Sequence, residues 1–179
     1  MDLSGRIRRI EDRDAIRRLV ADYCKVVDDR DLAALTALFA PDAVMKSRDG
    51  VMNARGRGAI AEMFKGRFAV LGPTFHYTHD VAIDLSDDAP DEASALVSSH
   101  AEVFRTGVAM IAAIRYHDRL VRLDERWHFA ERDLAFFYYV PCREYEQAMG
   151  SRLRMRAYGD QRPADWPETL ATWKTYHGD

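Results

Sequence analysis

The chain has 179 residues, 26 basic against 29 acidic side chains for a formal charge of −3, and 47% hydrophobic residues. That length fits one domain with a sizeable core, the composition is that of an ordinary globular protein, and the charge balance gives nucleic acid no electrostatic footing. Two cysteines, Cys24 and Cys142, exclude a disulfide framework and predict a reducing, cytoplasmic setting; no secretory leader is expected, and no apolar run approaches the roughly 20 residues of a spanning helix.

Apolar residues recur at helical spacing from Ile7 to Asp28. The rows Ile16, Val20, Cys24, Asp28 and Leu19, Tyr23, Val27 form one core-facing stripe, and Arg8, Asp12, Arg13, Arg17, Arg18 and Lys25 a solvated outer face. Asp31 is placed to cap a second helix over Leu32 to Phe39, which Pro41-Asp42 ends. Ala43-Val44-Met45 reads as a short strand, and a weak strand is expected around Val51. Ile60, Met63, Phe64 and Phe68 restore helical spacing, so Ala59 to Phe68 is a third helix. After Gly72-Pro73 the period becomes two. Long strands are expected over Thr74 to Leu85, Ala93 to Arg105, Val108 to Arg122 and Trp127 to Val140.

Three helices followed by four hairpin-linked strands predict an α+β fold rather than alternating βαβ units. The expected form is a cone-shaped α+β barrel, with three N-terminal helices packed on a strongly curved, mostly antiparallel sheet. Residues 1–179 are expected to make one domain, with a core over about 7–140 and a docking tail over 141–179. Trp166, Leu170, Trp173 and Tyr176 are too apolar to leave that tail in solvent. Leu96, Phe104 and Ile111 fall on the outer sheet face, which calls for a homodimer or homotrimer that buries them.

Asp28 continues an apolar stripe, and a carboxylate aimed at a core needs a partner. Otherwise it ends the helix in water or caps the next one, although Asp29 and Asp31 are better placed for that. Strand parity puts His76, Thr78 and Asp80 on one face and Phe75, Tyr77 and His79 on the other. His76 and His79 therefore make no metal pair, and no third ligand stands at metal spacing. A carboxylate on the Nδ1 side of an imidazole fixes its tautomer and leaves the other nitrogen as a base, which makes Asp28 and His76 catalytic candidates. Tyr116 is the third candidate. It follows the apolar face Met110, Ala112, Ile114 and precedes Asp118, and is either a donor to a substrate oxygen or a core phenol satisfied by backbone. Cys24, Val27, Met45, Met63, Phe64, Ala101, Met110 and Ile114 are the candidate substrate-binding wall. Arg119, Arg122 and Arg126 read as surface charges.

Ala15-Ile16, Tyr23, Val27-Asp28, Asp31-Leu32 and Leu38-Phe39-Ala40-Pro41-Asp42-Ala43 resemble the opening of the SnoaL-like group of the nuclear transport factor 2-like superfamily. Phe75-His76-Tyr77 and Glu125-Arg126-Trp127-His128-Phe129 are similar to that group's later markers. Within the group the chain is similar to scytalone dehydratase and hexachlorocyclohexane dehydrochlorinase, which implies an Asp–His dyad at Asp28 and His76. It departs from the first in having Val27 and Ser47 where tyrosines stand there, and His100 lies on the wrong strand face for its second histidine. The resemblance implies a cofactor-independent lyase or isomerase, dehydratase-like in its proton abstraction, acting on a small hydrophobic, cyclic molecule. No cofactor, metal, nucleic acid or membrane is expected to take part. The alternative is a non-catalytic ligand-binding or partner-supporting domain, as in the β subunits of ring-hydroxylating dioxygenases.

Overall fold

In the computed structural model, which describes residues 2–177, the Asp2 carboxylate accepts the Gly5 N–H at 2.8 Å and starts α1 at once. That cap explains why α1 (Leu3–Asp28) begins a turn before its apolar periodicity does. Asp31 caps α2 (Leu32–Ala37) by accepting the Ala34 N–H at 2.9 Å. The following segment is strand β1 (Phe39–Ser47), longer than the sequence pattern suggested because it lies beside a long partner. Its hairpin mate β2 is Asn53–Arg55, so the weak strand sits just past Val51. Helix α3 covers Arg57–Val70.

Four long strands follow: β3 (Leu71–Leu85), β4 (Glu92–Arg105), β5 (Val108–Leu123) and β6 (Arg126–Pro141). The sheet order is β2-β1-β6-β5-β4-β3, with β1 and β6 parallel and every other pair antiparallel. The sheet does not close, so the expected barrel is an open cone whose edges are β2 and β3. Gly72 and Pro73 fit inside β3 because an edge strand tolerates a missing N–H. A Cβ on Gly72 would come within 2.9 Å of the Phe104 ring, so that approach requires glycine.

One core joins the helices to the inner sheet face. Ile16, Val20 and Tyr23 of α1 and Ile60 and Phe64 of α3 meet Val97, Tyr116, Leu120 and Phe129. In the first half of α1, Asp12 is buried rather than solvated. It accepts hydrogen bonds from Arg122 at 2.7 Å and from the Trp127 indole at 3.0 Å, which corrects the surface reading of both Asp12 and Arg122.

After β6 a short 3₁₀ turn leads to α4 (Tyr145–Met149), and the chain then returns along the free edge of β6, with Arg154 and Trp166 laid on the outer face over Phe137 and Arg115. Met155 bridges Tyr139, and Asp165 accepts the Phe136 N–H at 2.7 Å. Arg154 lies over Phe137 and grips Glu168 through two bonds of 2.7 Å. Ile111 is half-buried against this second, small cluster around Tyr138, Val140 and Ala148, so it is not the exposed residue that strand parity suggested. The chain ends its described part in α5 (Ala171–His177), none of whose residues is buried. Among the described residues, no helix is long and apolar enough to cross a membrane.

Candidate active site

Helix α1 delivers Asp28 to the point where β3 begins, because Asp28 closes the row Ile16, Val20, Cys24 that faces the sheet. Its carboxylate accepts three bonds from β3: the Thr74 hydroxyl at 2.7 Å, the His76 N–H at 2.8 Å and His76 Nδ1 at 2.6 Å. Both side chains are shielded, at 12% exposure for His76 and 16% for Asp28. Burial pushes the Asp28 carboxyl up, but the bonds and charge from His76 and the Thr74 hydroxyl outweigh it, and the net shift is downward. With Nδ1 donating to an ionised carboxylate, Nε2 carries the lone pair and can act as a base.

Arg30 holds the ends of these elements together. Its backbone is left-handed, φ +61°, which turns its side chain back toward the site. The guanidinium donates to the Val27 carbonyl at 2.7 Å, to Thr74 Oγ1 at 2.9 Å and to the Gly72 carbonyl, and rests on the Phe68 ring.

His76 opens onto a cavity between the helices and the inner sheet face, with a volume of about 50 Å³. Tyr116, Val27, Phe64, Ala101 and Ile114 share its wall. Tyr116 is buried, and neither its hydroxyl nor that of Tyr23, also on the wall, engages any protein group in a hydrogen bond among the described residues. Burial holds both phenols in their neutral, donating form.

Four residues expected on that wall lie off it. Cys24 is buried one turn before Asp28, but its Sγ sits 3.1 Å from the Thr78 hydroxyl, and burial pushes the thiol up, away from thiolate. Met45 is wholly buried in the filled end of the cone, where it pairs in register with Arg132. Met63 lies one step around α3 from the row Ile60, Phe64 and is only half-buried against the core. Met110 pairs in register with Pro141 and meets the C-terminal segment near Ala157.

Arg132 is a site residue that strand alternation does not point to. It is fully buried, makes two bonds of 3.0 Å to Asp118, and lies within 4.0–4.2 Å of the ring centres of Tyr23, Tyr116 and Phe129. It therefore sets a cation behind both cavity phenols. Strict alternation from Trp127 and Phe129 puts Arg132 on the outer face, but the register slips by one residue between the Leu120–Phe129 and Arg119–Glu131 pairs, and the parity inverts.

On the opposite face, His79 Nε2 and His100 Nδ1 lie 2.8 Å apart, so His100 is remote from the cavity. Among the described residues, no three histidine, cysteine or carboxylate side chains converge in a way that would hold a metal ion.

Residues 8–133 match the model of the SnoaL-like domain. The chain belongs to the SnoaL-like family. No curated protein sequence matches this SnoaL-like chain. Among solved structures it is similar to a provisionally assigned scytalone dehydratase from Novosphingobium aromaticivorans, with 23% identity, TM-score 0.72, and coverage of 92% of this chain and 97% of that one. A type 3 hexachlorocyclohexane dehydrochlorinase from Novosphingobium barchaimii gives 18%, 0.68, 75% and 92%. A provisionally assigned aromatic ring hydroxylase from N. aromaticivorans gives 26%, 0.69, 74% and 94%. The fold of this SnoaL-like chain is thus the nuclear transport factor 2-like cone.

Proposed function

We propose that this SnoaL-like protein is a cofactor-independent lyase or isomerase that removes a proton from carbon in a small hydrophobic, cyclic substrate. The observation that carries this reading is the 2.6 Å contact between Asp28 and His76 Nδ1 at the wall of a mostly apolar cavity. His76 Nε2 takes the proton, Asp28 offsets the imidazolium charge, and the Tyr116 hydroxyl donates to the substrate oxygen on which negative charge builds. The electron pair left on carbon then expels a group from the neighbouring carbon, or reforms a double bond elsewhere. His76 hands its proton to the departing oxygen in the first case and to a new carbon in the second. A dehydratase and a dehydrochlorinase among the structural relatives support chemistry of this class.

The test is exchange of substrate C–H for deuterium in heavy water, across a panel of cyclic ketones and β-hydroxy ketones. The wild type should exchange at least one of them, and His76→Ala and Asp28→Asn should each abolish that exchange while the protein still folds and unfolds cooperatively, Asp28→Asn with the lower midpoint because its depressed carboxyl is gone. Loss of folding in both variants, with ligand affinity falling in step, would make the pair structural.

A second reading is a ligand-binding or partner-supporting domain, and the cavity volume of about 50 Å³ favours the partner-supporting version. That is room for a few water molecules, so a ring must displace wall side chains to enter. We also propose a homodimer or homotrimer. Phe75 at 55%, Tyr77 at 42% and Phe104 at 45% exposure form an apolar strip on the outer face of β3 and β4 that the tail leaves uncovered.

A further inference from the structure

Helix α3 faces the core with the row Ile60, Phe64 and, three residues on, Arg67. The spacing that brings Phe64 to the cavity therefore brings a guanidinium with it. Arg67 lies on the cavity wall with His76, Tyr116 and Tyr139, and among the described residues it is the one lysine or arginine there. The other charged side chains of this helix are accounted for differently. Lys65 pairs with Glu62 at 2.6 Å on the exposed face, and Arg57 donates to the Phe39 carbonyl at 2.6 Å. Among the described residues Arg67 has neither an ion pair nor a hydrogen bond, whereas Arg30, Arg122, Arg132 and Arg154 are each held by several acceptors or a bidentate carboxylate.

Its direction is marked by the groups that feel it. Burial pushes the phenols of Tyr23, Tyr139 and Tyr158 up, and the Arg67 charge pulls each of them partly back. Tyr23 is deep in the cone, at 6.0 Å between ring centres from Tyr116, so the charge of Arg67 acts inward. Tyr139 and Tyr158 meet edge to face near the mouth, where Arg105 lies 5.1 Å from the Tyr158 ring centre. An unpaired guanidinium on an apolar wall presents a planar fork of donors to whatever enters, and its best partner is a carboxylate.

We infer that the cavity selects a substrate that carries a carboxylate, held by Arg67 while the uncharged ring packs against the apolar wall toward His76. This rests on the proton-abstraction reading only for what happens at His76; the anion site stands on Arg67 alone. The negative charge placed at Arg67 is permanent, whereas the charge that develops during reaction faces Tyr116. The two donors therefore divide recognition from catalysis.

The test uses benzoate and its uncharged isostere benzamide, with binding measured by calorimetry on the full chain. Benzoate should bind the wild type roughly tenfold or more tightly than benzamide, the factor expected for a hydrogen bond to a charged group. Arg67→Met should bring the two probes level, Arg67→Lys should keep part of the preference, and Arg105→Gln should keep it whole. Equal binding in the wild type, a preference that survives Arg67→Met, loss of preference in Arg105→Gln alone, or binding of neither probe would each overturn the assignment. The dyad is read separately, from the His76 ring resonances of the ligand-free protein against pH in wild type and Asp28→Asn. An uncoupled His76 with benzoate selection intact would sink the proton-abstraction reading and leave the anion site standing, and the reverse result would do the opposite.

Discussion

Asp12 and Asp28 lie on one row of α1, since stepping by four from Asp12 gives Ile16, Val20, Cys24 and Asp28. The sequence signal for the two acids is the same: a carboxylate continuing an apolar stripe and therefore needing a partner. Read from one end it finds the dyad; read from the other it finds the buried acceptor of Arg122 and Trp127. Asp12→Ala leaves the Trp127 indole N–H without its acceptor, while Arg122 keeps Asp91 and the Pro90 carbonyl, and should cost about 1–3 kcal/mol in urea unfolding. Asp28 behaves differently toward acid. Its folded pKa is depressed, so its contribution to stability is whole above the unfolded carboxylate range near about pH 4, and is lost as pH falls through the lower folded value. Asp28→Asn should remove that part of the acid limb, as unfolding free energies measured from about pH 7 down to about pH 2 would show. Arg67 was legible by the same rule, as the cation closing the row Ile60, Phe64, yet a long basic side chain on a helix usually reaches water and gives no such alarm.

The long strands were legible almost to the residue because alternation is strict in β4 and the turns announce themselves. Thr106-Gly107 and Asp124-Glu125 are both two-residue connections with positive φ at each position, the twist that hairpins favour. Only the first has glycine where the left-handed backbone asks for it. Glu125, at φ +61°, is strained there, and Glu125→Gly should raise stability by roughly 0.5–1 kcal/mol, visible as a higher thermal midpoint. What alternation cannot show is a bulge, and the slip near Ala130 is why Arg132 escaped notice. Arg132→Met should destabilise the fold by about 3–5 kcal/mol by stranding Asp118, while Arg132→Met combined with Asp118→Leu should recover most of that loss in the same unfolding assay. The pocket wall was half legible for a related reason. Periodicity tells which face of a strand or helix is inside, but not how far along the cone the packed core ends and the cavity begins, so Met45 and Met110 fell beyond its ends.

For the whole molecule, the tail divides the outer sheet face in two. Arg115 under Trp166, at 3.7 Å, and Arg154 over Phe137 seal the half made by β5 and β6, whereas Phe75, Tyr77 and Phe104 stay open on β3 and β4. Phe75→Glu with Phe104→Glu should shift the protein to monomer in sedimentation velocity at micromolar concentration, with the wild type sedimenting as a dimer or trimer. Phe68 stands on the cavity wall, and it carries the same Arg30 that grips Thr74 and the end of α1. In mechanical terms Arg30 is a gear between the wall and the dyad: a ligand that presses on Phe68 loads the joint that holds the carboxylate on the imidazole. The joint is kept at the expense of a left-handed arginine, about 1–2 kcal/mol of backbone strain. Arg30→Gly should therefore leave the thermal midpoint within a few degrees while the His76 amide, whose acceptor Asp28 has lost the brace of Arg30 on Val27 and Thr74, exchanges its hydrogen faster, so that comfort of the backbone and order of the site part company at one position.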